Sequence, residues 1–188
     1  MNIQSILLRI EKQLLAGKNF IFVENFPLWK TIEIGGYASV SDMKEAFNKT
    51  GALDAGEISW HVKKSIFEYV DITSVRTNID LLKVNVTDIG FFTTADHEEV
   101  KQRLCDIGCL PCTPEIVAAL RMQYLDQPKG ELLYPIIDPI SLDHYNYQQY
   151  DIENENGKLC IRTVRGGLRR EYKKNDDIIF VRPLLELS

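Results

Sequence analysis

The sequence predicts an α+β protein, with a helical N-terminal part containing short strands and a C-terminal antiparallel β-meander of four or five strands. Before residue 127, apolar residues recur mainly at helical spacing between capping signals. After residue 130, apolar segments of strand length alternate with turn signals. We therefore expect a mostly helical region 1–127 and an antiparallel sheet region 128–188, or a single domain 1–188.

The composition is that of a globular protein. The chain has 188 residues, of which 45% are hydrophobic and 26% charged, with a net charge of −5. Negative charge disfavours broad nucleic-acid binding. No apolar run reaches the roughly 18 residues of a membrane span. Charges at Arg9, Glu11 and Lys12 interrupt the N-terminal apolar stretch, so no signal peptide is predicted. We expect a soluble, cytoplasmic protein without a cofactor.

Capping residues define the elements of the first region. Ser39, with Asp42 three residues later, is typical of a helix start. Thr113 followed by Pro114 gives a hydroxyl cap and a proline at the first helical position. The predicted order is a helix over about 3–16, strands 20–24 and 29–34, a helix from Ser39 to Gly51, a helix starting at Asp54, strands 69–75 and 79–86, a helix from Thr93 to Gly108 and a helix starting at Thr113.

Turn residues separate the strands of the second region. Asn156-Gly157 predicts a hairpin, and Pro135 indicates an edge strand or a bulge. The predicted strands are 132–137, 144–150, 158–164, 168–172 and 178–181.

Polar residues gather where the last predicted helix meets the first strand of the sheet region. The corner contains Arg121, Gln123, Tyr124, Asp126, Gln127 and Glu131. In a binding site, Arg121 would hold an anion, and Asp126 or Glu131 would act as acid or base. In a purely structural corner, Arg121 would pair with one of these acids and Gln127 would bond backbone groups at the helix end.

Three blocks of the chain resemble one family. They are FPLWKTIEIGGYASVSDMKEAF (26–47), LRMQYLDQPKGELLYPIIDPI (120–140) and NDDIIFVRP (175–183). In this order they resemble a group of uncharacterised bacterial proteins with the blocks F-P-x-W-K-T-I, L-R-x-Q-Y-x-D-Q-P-x-G-E and D-D-x-x-x-F-V-R. The resemblance implies a bacterial protein and no particular activity. It implies a signature made of Trp29, Lys30, Arg121, Gln123, Tyr124, Asp126, Gln127, Pro128, Gly130 and Glu131.

The four cysteines raise the question of a metal site. Cys105, Cys109 and Cys112 form C-x3-C-x2-C, the spacing of a radical-enzyme iron–sulfur motif, but the meander that follows is the wrong context. Zinc is a second option, with Cys160 or His97 as the fourth ligand. The interpretation we favour is small apolar residues packed on the helix and loop, without metal.

Two further clusters have alternative interpretations. The basic cluster contains Arg162, Arg165, Arg169, Arg170, Lys173 and Lys174. It would bind nucleic acid, or form a solvated strand face paired with Asp151, Glu153 and Glu155. Three tyrosines follow His144, namely Tyr145, Tyr147 and Tyr150. They would either form a platform on which a sugar or peptide stacks, or be half-buried residues of the sheet.

We therefore expect a binding or interaction module rather than an enzyme. It would hold a protein or small polar partner at the corner, with help from Trp29 and Lys30. The alternatives are a small hydrolase or transferase using Glu131 or Asp126 with a histidine, and nucleic-acid binding through the basic cluster. No phosphate-loop, dinucleotide, zinc-protease or nucleophile-elbow motif is present.

Overall fold

The computed structural model describes residues 22–50, 67, 70–143, 146–165 and 170–183, and only the backbone of 141–143, 146, 147, 164 and 165. Several expectations lie outside the described residues or side chains. They are the helix over 3–16, the helix starting at Asp54, Tyr145, the side chains of Tyr147 and Arg165, and the segment containing Arg169. Two of the three histidines that the enzyme alternative could use, His61 and His144, also lie outside.

Three α-helices lie in the described part of the chain: α1 (Val40–Lys49), α2 (His97–Ile107) and α3 (Pro114–Gln123). Ser39 and Thr113 cap α1 and α3, as predicted. The predicted start of α2 at Thr93 is wrong. The Asp96 carboxylate caps α2 by accepting the Glu99 N–H at 2.8 Å, and Glu99 returns a bond to the Asp96 N–H. This capping box begins the helix one turn later.

Nine strands are described: β1 (Lys30–Ile34), β2 (Thr77–Asn85), β3 (Ala95–Asp96), β4 (Leu132–Pro135), β5 (Ile140–Asp143), β6 (Asn146–Glu155), β7 (Lys158–Arg165), β8 (Glu171–Tyr172) and β9 (Asp177–Arg182). The predicted strand at 20–24 is wrong where it is described, since Val23–Asn25 form a 3₁₀ turn. Residues 70–75 are also not a strand. Strand β5 was not predicted.

Seven of the strands form one mixed sheet. Its order is β1-β2-β9-β4-β6. Strand β6 also pairs with β7 over residues 148–155 and with β5 over residues 146–148. The pairing of β4 with β9 is parallel, and the other pairings are antiparallel. Strands β3 and β8 form a separate antiparallel pair. The sheet therefore combines strands from both of the regions predicted from the sequence.

The sheet separates two hydrophobic cores. Ile179 of β9 packs with Val117 and Leu120 of α3 on one face. Phe180 of β9 packs with Val100 and Leu104 of α2 on the opposite face. Alternation along a strand sends neighbouring side chains to opposite faces, so β9 needs apolar residues at consecutive positions. The run Ile178–Val181 is buried at every position, as expected for a strand covered on both faces.

The α and β content is as predicted, but the expected meander is only partly present. Strands β5, β6 and β7 are consecutive and antiparallel, and Asn156-Gly157 forms the predicted hairpin turn, with both residues at positive φ. Strand β9 does not extend the meander. It lies between β2 and β4, where its two apolar faces are covered. No helix in the described residues is long and apolar enough to cross a membrane.

Candidate functional site

The corner between α3 and β4 is built around a fully buried arginine. The Arg121 guanidinium donates to the Tyr124 carbonyl at the end of α3 and to the Gln127 side-chain oxygen. Burial lowers the pKa of Arg121 to about 10, so the side chain stays charged at neutral pH. Neither Asp126 nor Glu131 forms an ion pair with it within the described residues. The expectation of such a pair was wrong; neutral acceptors hold the cation.

Gln127 connects this helix end to the sheet. Its side-chain amide donates to the Glu131 carbonyl at 3.0 Å and to the Ile152 carbonyl at 3.3 Å. Asn154 on β6 donates its side-chain amide to the Gln127 carbonyl at 2.5 Å. Gln127 is buried, so these bonds satisfy polar groups that water does not reach. Gln127 thus bonds backbone groups, as expected for the structural interpretation.

The turn after Gln127 requires a glycine. Gly130 has φ of +81°, and a Cβ atom there would meet nothing within 4 Å. The requirement is therefore conformational, because the left-handed region is open to glycine and strained for most other residues. The Gly130 N–H donates to the Asn154 carbonyl at 2.8 Å, so the turn leads directly into pairing with β6.

Glu131 is the acidic centre of the corner. Its two carboxylate oxygens accept from the Tyr124 hydroxyl at 2.9 Å and from the Lys83 ammonium at 2.9 Å. Burial first, and then the bond to Glu131, raise the pKa of Tyr124 well above its ordinary value. The Tyr124 hydroxyl therefore stays protonated and donates. Lys83 comes from β2 and was not predicted as part of the site.

Trp29 and Lys30 both reach the same tyrosine. The Trp29 ring meets the Tyr124 ring edge-on, with 5.3 Å between ring centres. The Lys30 ammonium lies 4.5 Å from the centre of the Tyr124 ring and 5.9 Å from that of Trp29. The Lys83 ammonium lies 5.4 Å from the Trp29 ring centre. Two ammonium groups within about 6 Å of one indole are favourable cation–π contacts.

A backbone irregularity explains how two consecutive side chains face one ring. Lys30 is the register partner of Leu81 in the β1–β2 ladder. The Trp29 N–H also bonds the Leu81 carbonyl, at 3.0 Å. Two residues of one strand thus oppose one residue of its neighbour, as in a β-bulge. Such an irregularity redirects a side chain, and both Trp29 and Lys30 contact Tyr124.

Gln123 lies at the edge of the corner and binds the backbone of β1. Its side-chain oxygen accepts the Glu33 N–H at 3.0 Å, and its side-chain nitrogen donates to the Glu33 carbonyl at 2.7 Å. Among the eight residues proposed for the site, Gln123 bonds Glu33 and Ala119 rather than another member, and Asp126 is exposed in the following turn. The fold otherwise brings Trp29 and Lys30 to Tyr124, and joins Arg121 to Gln127 and Tyr124 to Glu131.

Comparisons with protein-family models, curated proteins and solved structures found no significant match to this chain.

Sequence reasoning missed Lys83 and Asn154. Lys83 lies on β2, whose sheet neighbours β1 and β9 are distant in the sequence, and Asn154 reaches the corner because β6 also pairs with β4. Lys83 alternates with Leu82 and Val84 in β2, and that alternation indicates a face without saying which residues lie opposite. The bulge at Trp29 has no sequence signal that we could identify.

The cysteines do not converge. Cys109 packs in the core under α2, whereas Cys112 packs in the core under α3. Burial raises the pKa of Cys112 to about 12, so it is a thiol rather than a thiolate. Across the described residues, no group of three or more histidine, cysteine, aspartate or glutamate side chains is arranged to hold a metal ion.

Two arginines of the basic cluster, Arg162 and Arg170, form ion pairs with acids. Arg162 pairs with Glu153 and Glu155, each at 2.7 Å, as expected for a paired strand face. Arg170 differs from that expectation, because its ion pair with Asp151 is buried rather than solvated. Its two nitrogens donate to the two carboxylate oxygens at 2.6 and 3.0 Å. Lys173 and Lys174 are exposed.

The Arg170 pair belongs to a polar cluster on the α2 side of the sheet. Arg170 stacks on Tyr134 and Tyr172, at 4.7 and 5.0 Å from the ring centres. The Tyr172 hydroxyl lies 2.9 Å from the His97 Nδ1 atom. His97 is fully buried, and burial lowers its pKa although the nearby Glu98 carboxylate opposes the shift. His97 contacts this cluster, and neither Glu131 nor Asp126.

Tyr150, from the predicted tyrosine platform, lies in the core under α3. It is fully buried and so has no face open for stacking.

Proposed function

We propose that this protein is a binding module that holds an acidic segment of a partner protein at the surface formed by Trp29, Lys30, Lys83, Tyr124 and Glu131. We name this surface the lysine–aromatic corner. One observation carries the proposal. The Lys30 ammonium lies over Tyr124 and Trp29 and, within the part of the chain that the structure describes, has no carboxylate within ion-pair distance.

The two lysines of the corner differ in their charge balance. Lys83 is neutralised by Glu131 at 2.9 Å, so its charge already has a partner. Lys30 is held in place by aromatic rings, and no acid among the described residues balances its positive charge. A partner carboxylate would complete this arrangement, and its aliphatic neighbours would pack on the partly buried Trp29.

The buried part of the corner supports the surface from below. Arg121 and Gln127 fix the end of α3, and Tyr124 follows it directly. A binding surface built on such a rigid base loses little conformational entropy when a partner binds. We therefore assign Arg121 and Gln127 to positioning and the partly buried Lys30 and Trp29 to contact with the partner.

A labelled peptide that alternates glutamate and valine tests the proposal. In an extended peptide, alternate side chains point to the same side, so the peptide offers a row of carboxylates. We expect Lys30→Ala to weaken binding by roughly tenfold, the effect of about 1.4 kcal/mol. Fluorescence anisotropy of the labelled peptide measures the change.

Lys44→Ala is the matched control, because Lys44 is an exposed lysine of α1 outside the corner. It should leave the affinity unchanged, and a peptide alternating lysine and valine should not bind. Equal weakening by Lys30→Ala and Lys44→Ala would show general charge attraction and would reject the proposal. So would unchanged binding to the Lys30→Ala variant.

A further inference from the structure

Strand β1 lies at one end of the sheet. It pairs with β2, and within the described ranges no other strand pairs with it. The strand begins at the lysine–aromatic corner, since Lys30 is its first residue. Whatever lies along the outer edge of β1 therefore also lies next to Lys30.

The hydrogen bonds of Glu33 show which backbone groups point outwards. Its N–H and its carbonyl both bond the Gln123 side chain rather than β2. In an antiparallel ladder, successive residues point their backbone groups alternately toward and away from the neighbouring strand. The N–H and carbonyl of Thr31, two residues earlier, therefore also point away from β2. Thr31 is exposed, and within the described residues no partner bonds these two groups.

The Gln123 side chain stands where a neighbouring strand would be. A primary amide presents an acceptor and an N–H donor on one side, as one residue of an extended strand does, and Gln123 directs both to Glu33 of β1. The edge at Glu33 is thus already bonded as if another strand were present. The next outward position, Thr31, is one strand repeat closer to Lys30.

We propose that an extended acidic segment of a partner protein adds to the outer edge of β1, bonding Thr31 and placing a carboxylate at Lys30. Addition of a strand to an exposed sheet edge is a common mode of peptide recognition, in which backbone bonds give affinity and side chains give specificity. This inference rests on the proposed function and specifies how the partner is held.

The charges along β1 favour an acidic occupant over a second copy of this chain. Glu33 is paired with Arg76 at 3.2 Å, and the Thr31 hydroxyl donates to Asp80 at 2.6 Å. Lys30 is the charge on this strand that remains without an acidic partner in the described part. In a pairing of two β1 strands, opposed side chains lie on the same face of the sheet, and Glu33 points to the face opposite to Lys30, so Lys30 gains no acid from the β1 of the second copy.

Thr31→Pro is the decisive variant, with Thr31→Val as its matched control. Both remove the hydroxyl bond to Asp80, but only proline removes the outward N–H. Proline is tolerated at an edge position whose N–H faces solvent. We expect Thr31→Pro to weaken binding of the glutamate–valine peptide by roughly fivefold to tenfold, the effect of about one lost backbone hydrogen bond and a blocked edge. Thr31→Val should bind as the wild type does.

The same peptide with N-methyl groups on alternate amides gives a second measurement that does not depend on folding of a variant. N-methylation removes donors and keeps the carboxylates. We expect it to abolish binding in one of the two alternate patterns, because only one set of amides faces β1. Circular dichroism of Thr31→Pro checks that the variant is folded.

The outcomes separate the two proposals. If Lys30→Ala weakens binding while Thr31→Pro and both N-methylated peptides bind normally, strand addition is rejected and the acidic-partner proposal survives. If Lys30→Ala has no effect, both are rejected. A dimer in light scattering that Thr31→Pro converts to monomer would identify a second copy as the occupant, and would also reject the inference.

Discussion

Arg121, buried on one side of the sheet, and Arg170, largely buried on the other side, are stabilised in different ways. Arg170 forms a two-bond ion pair with Asp151 and stacks between Tyr134 and Tyr172. Arg121 has neutral acceptors, the Tyr124 carbonyl and the Gln127 side chain. Although burial alone would lower it, the bonds and charge of Asp151 raise the pKa of Arg170. Burial lowers the pKa of Arg121.

This difference separates the two roles of a buried cation. Arg170 lies next to β8 and Asp151 lies on β6, so their ion pair joins two separate strands. Each charge has the other as its partner in a place that water hardly reaches. Arg121 instead ends a helix, where unpaired carbonyls already carry partial negative charge. The first arrangement fails if either member is lost, whereas the second loses two hydrogen bonds and no counter-charge.

The largest expected effect is from Arg170→Met. Removing the cation leaves the Asp151 carboxylate buried without a partner, which costs about 3–5 kcal/mol of unfolding free energy. Urea denaturation measures the loss. The double variant Arg170→Met/Asp151→Leu is the control, and should recover most of the stability because no charge remains buried. A loss below about 1 kcal/mol in the single variant would remove the contrast between the two arginines.

A smaller effect is expected from Arg121→Met. Two buried acceptors, the Tyr124 carbonyl and the Gln127 oxygen, lose their donor, while no buried carboxylate is left unpaired. We expect a loss of about 2 kcal/mol in the same urea measurement. A loss equal to that of Arg170→Met would mean that the Arg121 charge itself has a partner of equal importance, contrary to the contacts described above.

The smallest effect is a change in pH dependence from His97→Asn. Because burial lowers the folded-state pKa of His97, the unfolded chain binds a proton there more readily than the folded chain. The stability that neutral His97 supports is complete above its unfolded pKa of about 6.5 and is lost as pH falls through the lower folded value.

Asparagine retains a polar group near the Nδ1 position that faces Tyr172, so the variant should fold. Unfolding free energies at about pH 7.5 and about pH 5.5 should fall less in His97→Asn than in the wild type. If the two proteins lose the same stability between these pH values, His97 does not titrate on unfolding, and other groups cause the wild-type slope.

The parts of the fold that local rules govern could be predicted from the sequence. The caps at Ser39 and Thr113, the hairpin at Asn156-Gly157 and the corner from Arg121 to Glu131 all depend on residues close together in the chain. Alternation identified most strands but not their order, because a strand's pattern describes its faces and not its neighbours. The insertion of β9 beside β2 could therefore not be predicted.

The residues of the lysine–aromatic corner were predicted only in part, because some of them meet only through strand pairing. Trp29 and Lys30 entered through the resemblance of the sequence blocks, and they do contact Tyr124. Lys83 did not enter, because it reaches the corner only through the pairing of β2 with β1 and β9. Asp151, the ion-pair partner of Arg170, was among the acids considered. The burial of this ion pair could not be predicted, because it depends on residues of α2 and β8 that pack around it.

The position of β9 also sets the order in which the chain can assemble during synthesis. Strands β1 and β2 emerge from the ribosome first, and β4 to β7 follow, yet the strand that joins these two groups comes after both. Until Asp177–Arg182 has emerged, β2 and β4 each carry an unpaired inner edge. Pairings of such high sequence separation form slowly, so the nascent chain must keep two incomplete sheets from associating wrongly until its central strand arrives.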